Sequence, residues 1–183
     1  MEATNKITQI ISSGQALFIP DLNGKTAISK ADSTFKLFIS LDFKEFGLGK
    51  PSYPTKKTQV VVREMTADGT LMQIFKDIDT DLDKSVLTVS QIIEFCSQHS
   101  GWLHPSGCAT LFLTKKRKGL LQRAWEGTVK LFSDRKAAAE YFVIRVNMYV
   151  CAYDLSVYAY QLEYGSAWDG KNRHRVVSPQ LLA

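Results

Sequence analysis

Between Lys115 and Lys136 the chain carries eight cations: Lys115, Lys116, Arg117, Lys118, Arg123, Lys130, Arg135 and Lys136. Only two acids, Glu126 and Asp134, oppose them. This window holds +6, which leaves −1 for the other 161 residues of a 183-residue chain whose net charge is +5. The basicity is therefore local. A compact cationic patch attracts polyanions such as nucleic acid by releasing their condensed counterions, an attraction blind to sequence and weakened by salt. Trp125 and Phe132 lie among the charges, and aromatic rings stack on bases. The plainer reading of the same residues is a solvated loop of Lys and Arg.

A second constellation is Cys96, His99, His104 and Cys108, spaced C-x2-H-x4-H-x3-C. Two thiols and two imidazoles are enough ligands for tetrahedral zinc. Against zinc, Cys96 falls on the apolar face of an expected helix, where a free Cys acts as a small hydrophobe. Asp77, Asp79, Asp81 and Asp83 alternate like the start of a calcium loop, but such a loop needs Gly at its sixth position and an acid at its twelfth. Those positions hold Leu82 and Thr88 counted from Asp77, and Lys84 and Ser90 counted from Asp79. Both registers fail, and a solvated acidic helix end is the better reading.

Catalytic patterns are sparse. Cys108 could pair with His104 or His99 as thiolate and imidazole, but no nucleophile elbow surrounds it. There is no P-loop and no G-x-G-x-x-G. No catalytic residue is assigned. His174, between Arg173 and Arg175, could meet a phosphate or carboxylate, or simply be an exposed strand residue. Tyr158, Tyr160 and Tyr164 alternate onto one strand face near Arg145. They read either as a stacking platform or, by the usual fate of large rings, as a buried aromatic face.

The elements that position these residues can be read from periodicity. The hydrophobic fraction of 45 % excludes a disordered chain, and no apolar run is long enough for a membrane span. Three cysteines, an odd number, argue against a disulfide framework, and the start Met1–Lys6 does not read as a secretory signal. The expectation is a cytoplasmic protein with no membrane partner. Ile7, Ile10 and Ile11 suggest a short helix over 4–13, and Phe35–Leu41 alternates like a strand. Residues 47–58, with two Gly and two Pro, read as a linker. The boundaries expected are therefore an N-terminal extension or loosely packed unit over 1–50 and a main domain over 59–183.

Within the main domain Gln59–Met65 is a β-branched strand. Thr70 with Gln73, and Thr88 with Gln91, are capping boxes opening two amphipathic helices. Ala109–Leu113, 141–150, Leu155–Tyr164 and Arg173–Ser178 read as strands, while 115–140 fits either a hairpin or a helix. The fold class expected is α+β, with two amphipathic helices packed on a mainly antiparallel C-terminal sheet.

The order of Val60–Val62, two capped helices, His104-Pro105, Tyr141–Val146, Leu155–Tyr160 and Trp168 with Arg173–Val177 resembles small uncharacterised proteins of candidate-phyla bacteria. The resemblance covers roughly 59–178 and implies a small bacterial cytoplasmic α+β protein, with no activity to carry over. The reading taken forward is a non-catalytic binding protein for a polyanion such as nucleic acid, without a cofactor. The alternatives are a zinc-stabilised domain and a protein–protein interaction module.

Overall fold

Val60, Val61 and Val62 sit in the strand around which the molecule is organised, since β-branched side chains suit a pleated, buried surface. The computed structural model describes residues 6–116, 140–149 and 151–180. Among these, β1 is Thr8–Ile10, β2 Leu17–Ile19, β3 Phe38–Ile39, β4 Thr58–Met65, β5 Ala109–Lys115, β6 Tyr141–Tyr149, β7 Asp154–Gln161 and β8 Arg175–Pro179. The helices are α1 Asp42–Glu45, α2 Leu71–Ile78 and α3 Val89–Gln98. The fold is α+β. One sheet runs β1-β4-β8-β5-β6-β7-β3, and β2 also pairs with β4. Pairing is antiparallel except for β5 with β8 and β3 with β7. No helix among the described residues is long and apolar enough to cross a membrane.

The two capped helices start where local chemistry starts them. Gln73 N–H donates to Thr70 Oγ1 at 3.3 Å while Thr70 N–H donates to Gln73 Oε1 at 2.9 Å. Thr88 and Gln91 repeat the exchange at 2.9 and 3.2 Å. Each box satisfies helix-end donors that would otherwise be orphaned. Gln91 adds a bond from Nε2 to Thr58 Oγ1 at 2.9 Å, tying the start of α3 to β4.

Strand alternation sorts the core into two layers. Leu111 and Leu113 of β5 pack with Leu71, Ile74 and Phe75 of α2. Phe112, between them, packs with Ile92, Phe95 and Cys96 of α3. Successive strand residues point to opposite faces, so α2 and α3 lie on opposite faces of the sheet. The α3 face is also covered by Ile28, Phe35, Phe43 and Leu48 from the N-terminal part of the chain. Burying each Phe in this layer is worth about 1.5–3 kcal/mol of transfer free energy.

Two expectations change here, for the first helix and for the extent of the sheet. The short helix over 4–13 is instead β1, whose Thr8 and Ile10 register with Met65 and Arg63. The i, i+3, i+4 isoleucine spacing suits a helix, but pairing with the edge of β4 wins. The described part of 1–50 supplies β1, β2 and β3 to the sheet and several core side chains. For the same reason the sheet is not confined to the C-terminal part of the chain.

Candidate nucleic-acid interface

β6 and β7 form an antiparallel hairpin in which Arg145 registers with Tyr158 and Val143 with Tyr160. On the α3 side this pair is dry, with Ile144, Val146, Val157 and Ala159 buried. On the other side α2 covers little of it. Val143 and Ser156 are buried there, while Arg145, Asn147, Tyr158 and Tyr160 are half-buried and Tyr149 is exposed. Among the described residues no helix covers this half of the sheet face.

Arg145 is the centre of this surface. Its Cζ lies 5.6 Å from the Tyr158 ring and 5.4 Å from the Trp168 ring, both cation–π distances. Its Nε donates to Asn147 Oδ1 at 2.7 Å, and Nη1 donates to Tyr160 Oη at 3.4 Å. Asn147 is fixed in turn by donating from Nδ2 to Gly107 O at 2.7 Å. No carboxylate lies within ion-pair distance of Arg145 among the described residues. The rings continue outward, with Phe38 5.4 Å from Tyr158 and Tyr164 5.5 Å from Tyr160. Phe38 and Tyr164 are each close to half-exposed.

Trp168 is held in place by its loop. Its N–H and C=O exchange hydrogen bonds with Gly69 at 2.8 and 3.1 Å. Two residues on, Gly170 N–H donates to Asp68 Oδ1 at 2.8 Å. A Cβ at Gly170 would stand 2.5 Å from the backbone of Ala67, so only glycine lets this loop approach. Behind Trp168, its ring meets His174 edge-on at 5.1 Å. His174 is buried, and its Nδ1 accepts from Ala109 N–H at 3.1 Å. Burial holds it below the ordinary imidazole range, with further lowering from His104 and Arg145. His174 is thus neutral and structural rather than an exposed strand residue.

Of the basic window, Lys115 and Lys116 are within the described residues, and Arg117, Lys118, Arg123, Lys130, Arg135 and Lys136 lie outside them. The hairpin-or-helix choice for 115–140 falls largely outside them too. Lys115 Nζ sits 2.9 Å from Asp83 Oδ1 and 3.2 Å from Glu140 Oε1. The bond to Asp83 first, and that to Glu140 after it, push its ammonium well above the usual lysine range. Its charge is already compensated within the fold. Lys116 donates its backbone N–H to Glu140 O at 3.0 Å, closing the two ends of the segment onto β5 and β6. With Lys50 it lines a cavity of about 410 Å³ that also touches Leu48, Val86 and Val89.

The structure does not bring Cys96, His99, His104 and Cys108 together. No group of three or more His, Cys, Asp or Glu among the described residues could hold a metal ion. Cys96 faces the α3 core, and burial pushes its thiol far up. His99 at the end of α3 places Nε2 2.9 Å from Phe18 O. His104 accepts Ser106 N–H on Nδ1 at 3.2 Å, and Cys108 is half-buried. The residues present do not fit zinc. The alternating aspartates are also separately occupied. Asp77 accepts from Thr8, Asp79 and Asp81 cap the next turn, and Asp83 holds Lys115.

The sequence pointed to Tyr158, Tyr160 and Tyr164 beside Arg145 but missed Trp168, Asn147 and Phe38. Asn147 shares the Arg145 strand face by period two, so that signal was present. Nothing local marks Trp168, because the bridge to Gly69 spans almost a hundred residues of sequence. Compared with family models, curated proteins and solved structures, the chain matches none.

Proposed function

We propose that the chain is a non-catalytic binding module for single-stranded nucleic acid. The observation that carries this reading is the half-face, uncovered by helix among the described residues, on which Arg145 is held between Tyr158 and Trp168. Bases stack on aromatic and guanidinium planes regardless of sequence, each worth about 1–3 kcal/mol. Phosphate attraction comes from the basic window 115–136, and Lys116 and Glu140, at its margins, are bonded to each other where β5 meets β6. That end of the sheet is also the Tyr160 end of β7, since Phe142 registers with Gln161. Lys116 and the stacking rings therefore stand at the same end of the sheet.

Fluorescence anisotropy with a labelled oligothymidine tests it. Affinity should fall steeply between low and moderate salt, and Arg145→Ala should weaken it about tenfold or more. An absence of binding at low salt overturns the reading. One observation favours an alternative: Leu37, Phe38 and Leu41 are exposed at the same edge, Leu41 to 77 %. A protein partner on this apolar edge would bind with little dependence on salt.

A further inference from the structure

Arg63 interrupts the apolar strand β4, and its side chain shares the α2 face with Met65. Its Nε is buried with no hydrogen-bond partner. No carboxylate lies within ion-pair distance of it among the described residues. Burial lowers its basicity, and the charge of Asp77 only partly offsets this. Asp77 Oδ2 is itself taken by the backbone N–H and hydroxyl of Thr8, at 3.0 and 2.9 Å. Arg175 Nε is buried without a partner in the same way, but the rest of that guanidinium and the nearby Arg173 are anchored. Arg173 pairs with Glu64, and Arg175 Nη1 donates to Leu103 O at 2.8 Å. A guanidinium has five donors, and burying a donor unpaired costs as much as losing a hydrogen bond. Arg63 lines a cleft of about 480 Å³, together with Lys6, Thr8, Gln9, Ile10 and Thr66.

We infer that Arg63 and Lys6 form an anion subsite for the phosphate group of a small phosphorylated molecule. The planar fork of a guanidinium matches two oxygens of a phosphate through its Nη groups, while the enclosed Nε stays out of a ligand's reach. Two cations against Asp77 leave the cleft one net positive charge. Its volume lies in the range that holds an organic ligand rather than a bare ion. Thr66 on the cleft wall suits a hydroxyl group, and much of the rest of the lining is apolar. This subsite does not depend on the nucleic-acid reading. Arg63 and Arg145 stand on β4 and β6, separated in the sheet by β8 and β5.

Titration calorimetry of the full chain with inorganic phosphate and with ribose 5-phosphate tests the inference. Saturable binding is expected, tighter for the sugar phosphate. Equal binding of both would assign free phosphate as the ligand of the same subsite. Arg63→Met should weaken binding about tenfold or more, while Arg145→Ala leaves it unchanged. Melting separates binding from structure: removing an unpaired buried charge should leave Tm equal or higher. Should Arg63→Met fail to fold, Arg63→Lys keeps the charge and loses the fork, and should still weaken binding. Absence of saturable binding to either anion, or binding untouched by both variants, overturns the inference.

Discussion

The two faces of the β6–β7 hairpin use the same backbone for opposite ends. Leu155, Val157 and Ala159 point into a layer sealed by α3 and the N-terminal strands, where Phe95 and Phe112 meet edge-on at 5.6 Å. Tyr158 and Tyr160, one residue out of phase, stand half-open around Arg145. A period of two is enough to separate stability from recognition. What differs is the cover: α2, with eight residues, is too short to seal its face, while α3 is joined by chain from residues 17–48.

Breaking the sealed face should have the largest effect. Phe112→Ala should cost about 3–5 kcal/mol in urea unfolding, through lost burial and a residual cavity. On the open face Tyr158→Ala should cost about 1 kcal/mol of stability or less, yet remove about 1–3 kcal/mol of oligothymidine binding. If Tyr158→Ala instead destabilised as much as Phe112→Ala, the contrast between the faces would be lost. Thr88→Ala, which unties the capping box of α3 beneath the sealed face, should cost about 1 kcal/mol.

A pH series sharpens the comparison from the open side. His104 and His174 are both buried, and both accept a backbone N–H on Nδ1. Burial is the main cause that lowers each, and Arg175 adds to it for His104. The unfolded chain therefore binds protons before the folded one does. Their contribution is complete above the unfolded value of about 6.5 and is lost as pH falls through the folded values. Urea midpoints should be flat above neutrality and decline below it, and His174→Gln should reduce that decline. The smallest effect is expected at Lys115. Its pair with Asp83 is largely solvent-screened, so Lys115→Met should change stability by less than about 1 kcal/mol. It should leave the salt dependence of oligonucleotide binding unaltered, because its charge is already compensated.

What the sequence made legible was whatever is decided locally. Both capping boxes, the β-branched strand and the alternation of β6 and β7 depend on neighbours a few residues away, and they form as read. The helix expected at Ile7, Ile10 and Ile11 failed because its competitor is a strand some fifty residues on. The candidate site was half legible for the same reason. Period two put Arg145 and Asn147 on one face, but Trp168 reaches that face through a bridge to Gly69. Nor could spacing reveal that Lys115 is neutralised by Asp83, or that Arg63 lacks a partner. Cys96 and His99 lie three apart on one helix, yet one turns into the core and the other toward Phe18.

The place of β8 in the sheet bears on how the chain reaches this state. It is the last of the described strands, and it lies between β4 and β5, bonded to both. Until residues 175–179 dock, β1, β2 and β4 have, among the described strands, no bonded route to β5, β6 and β7. A chain in which β8 has not docked therefore holds two half-sheets with facing open edges, the state in which strands mispair with other copies. Closing the gap joins partners more than a hundred residues apart, a slow step by loop-closure entropy. β8 acts as a keystone, and deletion of residues 175–179 should yield aggregating material rather than a smaller folded protein.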